Sequence, residues 1–172
     1  MSTSLFIVDD FLPKPDMVRE QVVNFEFNTT GEFPGVRSFA ADDDYQMYCK
    51  TRFEDIMGVK ITEFLMDSFC WQLCYEGAET WIHKDPSMWA GVLYLNPDAP
   101  IEAGTGLYKE VKEQEFELVD AIGNIYNRLI LYRGDILHRS LLSGFGNCNR
   151  TGRLTQVFFF NVKDQPAGGW EG

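Results

Sequence analysis

From Ser68 onward the chain runs in short β-rich stretches separated by clusters of Gly, Pro, Asn and Asp, and this alternation restricts the possible folds more than any other feature. The first stretch has period two, with Trp71, Leu73 and Tyr75 on one face. Further runs recur at 88–96, 125–133 and 153–162, and the connections NPDAPIEAGTG and SGFGNCNRTG are dense in turn residues. Strands of this length joined in this way predict an antiparallel sandwich or jelly roll.

The first third reads differently. Leu5 to Leu12 predicts a strand that stops at Pro13 and Pro15, and Asp16 to Phe27 carries Val18, Val22 and Phe25 at helical spacing. After the turn-rich TTGEFPGVRSF, Asp42 to Asp44 suit the start of a second helix running to about Met57, before Gly58. These two N-terminal helices are expected to support one sheet. With 172 residues, 45% of them hydrophobic, the chain can bury one core, so residues 1–172 are read as a single domain.

A net charge of −11 opposes a phosphate backbone, so no nucleic-acid partner is expected. No apolar run reaches spanning length and no basic segment precedes an apolar one, which predicts no membrane association and a cytoplasmic location. Cys49, Cys70, Cys74 and Cys148 form no paired CxxC set and are read as packing residues.

Only two histidines occur, and one lies in WIHKDPSMW, residues 81–89. If Ile82 to Pro86 ends a strand, His83 and Asp85 leave the same face about 6 to 7 Å apart. His138 follows IYNRLILY and the RGD turn, and only the tertiary fold could return it to that pair. Two imidazoles and one carboxylate suit non-haem Fe(II) with coordination positions left open, although a lone His-x-Asp is also common as packing or surface. Arg153 opens the run RLTQVFFFNV, where a buried guanidinium calls for an anion, and Thr155 shares its face. Arg150, in the NCNRTG turn, reads as solvated.

In their order along the chain, FIVDDFLPKPDMVRE, YEGAETWIHKD, GVLYLN, GTGLY, RGDILHRS and GRLTQVFFF resemble the Fe(II)- and 2-oxoglutarate-dependent dioxygenases, in particular the prolyl-4-hydroxylase-like branch. The resemblance implies a cupin-like double-stranded β-helix in which His83, Asp85 and His138 hold iron. It further implies that Arg153 and Thr155 bind the far carboxylate of 2-oxoglutarate, with Tyr94 and Tyr75 hydrogen-bonding the co-substrate. Because halogenating relatives replace the aspartate with a small residue, Asp85 implies hydroxylation. The longer spacing from His138 to Arg153 departs from many prolyl hydroxylases and argues against inferring a prolyl substrate.

The implied activity consumes molecular oxygen and 2-oxoglutarate, releases succinate and CO2, and hydroxylates a small molecule or a protein side chain. A jelly-roll module that binds a sugar or peptide without turnover is the alternative, and it has no use for the three ligands and the arginine. A cupin with another metal would ordinarily begin from His-x-His, where this chain has Asp85. Trp81 and Trp89 are expected in the core or at the mouth of the site, and residues 110–120 as a solvated loop or helix, or a lid. Nothing in the sequence sets the oligomeric state.

Overall fold

The computed structural model describes residues 3–39 and 41–163. Ten strands and two helices follow one another among them: β1 (Leu5–Val8), α1 (Pro15–Val22), β2 (Val36–Ser38), α2 (Asp43–Met57), β3 (Ile61–Phe64), β4 (Trp71–Cys74), β5 (Trp89–Tyr94), β6 (Thr105–Lys112), β7 (Glu115–Ile122), β8 (Leu129–Arg133), β9 (Leu137–Ser140) and β10 (Arg153–Val162). A seven-stranded sheet has the order β1-β8-β5-β10-β4-β2, with β3 also paired to β10. The second sheet has the order β7-β6-β9. Every described pairing is antiparallel, and the fold is a mainly β double-stranded β-helix.

The period-two pattern sets what each face of the large sheet meets. Trp71, Leu73, Leu93, Leu154, Phe158 and Phe160 bury themselves against Phe11, Val22, Cys49 and Phe53 from the helical side. Phe53 sits at the centre, edge-on to Phe158 at 4.9 Å and stacked on Phe160 at 5.6 Å. On the opposite face Ala90, Tyr94, Ile130 and Tyr132 pack with Leu107 and Ile122 of the small sheet. The inter-sheet space therefore receives the alternate residues of each strand.

Helix α2 forms where its ends dictate. The Asp42 carboxylate accepts from the Tyr45 N–H at 2.8 Å, and Gly58 closes the helix in the left-handed conformation at φ 68°. Helix α1 starts on Pro15 and ends at Val22, earlier than the spacing to Phe27 predicts.

Several expectations need correction. Residues 110–120 are neither loop nor helix but most of the β6–β7 hairpin, exposed on both faces over most of β7. Of its two expected places Trp89 takes the core, on the helix side against Phe6, 5.7 Å between centroids, which needs no correction. Cys148 is exposed, with its thiol 3.2 Å from the Thr151 hydroxyl, whereas the other three cysteines are buried as predicted. Among the described residues no helix is long and apolar enough to cross a membrane.

Candidate metal centre

The main chain alone brings the two histidines together. The His83 N–H donates to the His138 carbonyl at 3.0 Å and the His138 N–H to the His83 carbonyl at 2.9 Å, an isolated antiparallel bridge. The strand end expected at Ile82–Pro86 is only this bridge. Two residues on, the Asp85 N–H donates to the Gly134 carbonyl at 2.8 Å, and the Gly134 N–H returns to Met88 at 2.9 Å. Glycine is required here, because a Cβ at residue 134 would stand 2.0 Å from the Ser87 carbonyl oxygen.

Each imidazole is oriented by a carbonyl two residues earlier. His138 Nδ1 is 2.7 Å from the Ile136 oxygen and His83 Nδ1 is 3.0 Å from the Trp81 oxygen. A carbonyl only accepts, so both Nδ1 atoms carry hydrogen, and each ring in its neutral form presents a bare Nε2 lone pair. Both lone pairs meet Asp85: His138 Nε2 is 3.0 Å from Oδ2 and His83 Nε2 is 3.6 Å from Oδ1. The edge of Tyr132 braces His138 at 4.7 Å.

This arrangement lacks a positive charge. Asp85 Oδ2 is buried with no hydrogen-bond partner, so with both rings neutral its 3.0 Å approach to His138 sets two electron-pair donors side by side. One ligand atom from each of the three residues lies within 4.8 Å of the others. Ligands about 2.1 Å from one cation and at right angles to each other stand about 3 Å apart, which the 3.0 Å His138–Asp85 contact matches and the 3.6 Å His83–Asp85 contact approaches. Burial first, then the neighbouring His138 ring, holds His83 below the ordinary histidine value and favours the neutral form that a metal needs. The donor set thus fits a divalent transition metal.

The three side chains line a cavity of about 720 Å³ that also exposes Arg37, Thr105 and Tyr132. Trp81 lines it and is 41% exposed, which puts Trp81 at the opening. Deeper in, Thr105 Oγ1 is 2.6 Å from the Tyr94 hydroxyl, and burial raises the Tyr94 phenol above its usual value so that it stays protonated. Behind Tyr94, at 5.8 Å from its ring, lies the buried Arg153 guanidinium, donating to the carbonyls of Ala103 at 2.9 Å and Gly104 at 3.2 Å. Thr155 pairs across with Tyr94 and is also buried. Arg153, Thr155 and Tyr94 therefore gather behind the Thr105 wall.

Tyr75 is not brought there. Its hydroxyl donates to Asn149 at 2.6 Å and its ring packs with the helix-side core, because it continues the face of Trp71 and Leu73. Arg150 holds Glu20 through two bonds of 2.9 and 3.0 Å at the surface. Sequence reasoning missed Arg37, a buried cation on a three-residue strand inside a segment that looked like a turn. Its one legible signal was a lone arginine between Val36 and Ser38.

A double-stranded β-helix carrying a His-Asp-His cluster at one end of its inter-sheet cavity is the class that these elements define. Solved structures similar to the chain include a Pseudomonas putida prolyl-4-hydroxylase, 17% identical with a TM-score of 0.56, over 92% of each chain. A Trichoplax adhaerens prolyl hydroxylase, in complex with a hypoxia inducible factor oxygen degradation domain peptide fragment, is 16% identical with a TM-score of 0.59, over 91% of this chain and 83% of that one. Prolyl 4-hydroxylase from Phytophthora capsici is 15% identical with a TM-score of 0.54, over 92% of this chain and 59% of its own. At these identities the likeness is one of fold. A model for a family of unknown function, DUF6445, matches residues 108–160. No curated protein matches the chain.

Proposed function

We propose that the protein is a non-haem Fe(II)- and 2-oxoglutarate-dependent oxygenase that hydroxylates a small molecule or a protein side chain. The observation that carries this reading is the buried, partnerless Asp85 Oδ2 facing two oriented imidazole lone pairs. Two histidines and a carboxylate on one side of a metal suit Fe(II) and leave the cavity side for other ligands. The fold shared with the prolyl hydroxylases supports the choice of reaction class.

Bound iron and 2-oxoglutarate would supply the oxidation: O2 and 2-oxoglutarate are consumed, one oxygen atom goes to the substrate C–H bond, the other to succinate, and CO2 leaves. The chain's own residues do the rest. His83, Asp85 and His138 hold the metal, with the Trp81 and Ile136 carbonyls fixing the two rings. Arg153, with Tyr94 and Thr155, takes the far carboxylate of 2-oxoglutarate and sets its orientation. Tyr132 and Val157 line the cavity with apolar surface that limits water. No side chain is needed as a general base.

Anaerobic addition of Fe(II) and 2-oxoglutarate should produce a weak visible charge-transfer band, and admission of air should release succinate. His83→Ala should abolish both, and an unchanged band would remove the metal assignment. Arg153→Ala should raise the 2-oxoglutarate requirement at least about tenfold while iron binding persists. If the requirement does not move, another residue anchors the co-substrate.

A further inference from the structure

We propose that Arg37 forms an anion subsite in the same cavity and that the substrate presents a carboxylate to it from a small molecule with an apolar body. This deepens the oxygenase reading and rests on it. Arg37 is only 6% exposed, and a guanidinium withdrawn from water is costly unless anions and acceptors replace the solvent. Its partners fall short of that. Nε donates to the neutral Gln72 amide oxygen at 2.8 Å, and Nη1 has only the half-exposed Asp67 carboxylate at 3.5 Å. The Phe33 ring covers one face at 3.9 Å. Among the described residues Nη2 donates no hydrogen bond, and Arg37 lines the cavity.

The other cations of the cavity are accounted for. Arg139 donates to the Thr80 hydroxyl at 2.7 Å and to the Ser140 carbonyl at 3.2 Å, and Lys84 is exposed. Arg37 is also separate from the arginine assigned to 2-oxoglutarate. Register places Arg37, Gln72, Thr155 and Tyr94 in one row across β2, β4, β10 and β5. At about 4.8 Å per strand, β2 lies roughly 10 Å from β10, and Arg153 stands outside this row, opposite Cys74, so the two arginines can serve two different anions.

The neighbours select the chemistry. The planar fork suits a carboxylate, and a monoanion adds one negative charge to a wall that already holds Glu32, Asp67 and Asp85. A dianionic phosphate would meet stronger repulsion from the same three groups. Leu65, Met66, Trp81 and Phe159 give the rest of the molecule an apolar lining. A volume of about 720 Å³ accommodates such a ligand beside the co-substrate, within the roughly 300–1,000 Å³ of small-molecule sites.

The probes are benzoate, phenylacetate and 3-phenylpropanoate, each against its primary amide, titrated into metal-free protein by calorimetry or ligand-observed NMR. At least one acid should bind about tenfold or more tightly than its amide. Arg37→Gln should erase that preference, whereas its 2-oxoglutarate titration of the Fe(II) band stays within about twofold of wild type. Arg37→Lys, which keeps the charge and loses the fork, should retain part of the preference. If no acid outbinds its amide in wild type, or Arg37→Gln keeps the preference, the subsite is refuted. If Arg37→Gln instead loses 2-oxoglutarate binding, Arg37 anchors the co-substrate and the substrate assignment is overturned. Acid preference in a wild type that shows no Fe(II) band would retire the oxygenase reading and leave the subsite standing.

Discussion

Asp85→Asn should stabilise the metal-free protein while removing its response to metal. In the wild type a buried carboxylate oxygen has no hydrogen-bond partner and stands 3.0 Å from the His138 Nε2 lone pair. An unsatisfied buried acceptor costs about 1–3 kcal/mol, and an asparagine amide donating to Nε2 would add about 1 kcal/mol. A net gain of about 2 kcal/mol corresponds to a rise of roughly 4–8 °C in Tm for a chain of this size. The assay is thermal unfolding at about pH 8 in chelator, then with Mn(II) or anaerobic Fe(II). At a hundredfold excess over Kd, metal should stabilise the wild type by about 2.7 kcal/mol, and the variant should show less than about a quarter of that. A metal-free variant that melts below the wild type would refute the reasoning. It would mean that His138 is an imidazolium paired with Asp85, and that the cluster is a structural ion pair.

Three further outcomes follow from other parts of the structure. Gly134→Ala puts a methyl 2.0 Å from the Ser87 oxygen and should shift the turn that holds Asp85. Metal titration should show weaker binding alongside a loss of about 1–3 kcal/mol in stability. Phe53→Ala empties the centre of the aromatic cluster and should cost about 3–5 kcal/mol in chemical denaturation, with the cavity chemistry retained in the folded fraction. Thiol alkylation at about pH 8 should modify Cys148 first. Its hydrogen bond with Thr151 lowers the thiol pKa, while burial pushes Cys49 up to about 12 and Cys70 up to about 11. Peptide mapping that finds Cys49 or Cys70 labelled in folded protein would contradict the packing.

Where local chemistry and burial agree, the sequence was readable. Asp42 and Gly58 bracket α2 because one side chain caps its first turn and the other residue tolerates a left-handed backbone. β10 spans Arg153–Val162 as its unbroken β-rich run predicts, since it is central and buried on both faces. The β6–β7 hairpin hid itself because β7 exposes nearly every side chain, so the brief alternation of EFEL within the charged KEVKEQEFELVD marks no buried face. Strand β2, three residues long, has no period at all, and Arg37 was lost with it.

The placement of Tyr75 carries a sharper lesson. Period two already set Tyr75 on the face of Trp71 and Leu73, and that face is the core side. Gln72, out of phase with them, is the residue of β4 that lines the cavity. The same parity separates Trp89, in the helix-side core, from Ala90 and Tyr94 in the inter-sheet space. The approach of His83 and Asp85 to His138 lay beyond any local pattern, because it depends on the bridge between residues 83 and 138 and on the Gly134 turn.

The most direct measurement of the central claim is a crystal structure of the protein prepared anaerobically with Fe(II) and 2-oxoglutarate. The account predicts one metal bound by the Nε2 atoms of His83 and His138 and by Asp85, with the far carboxylate of 2-oxoglutarate at Arg153. Metal bound elsewhere, or a cavity without metal at saturating Fe(II), would contradict it.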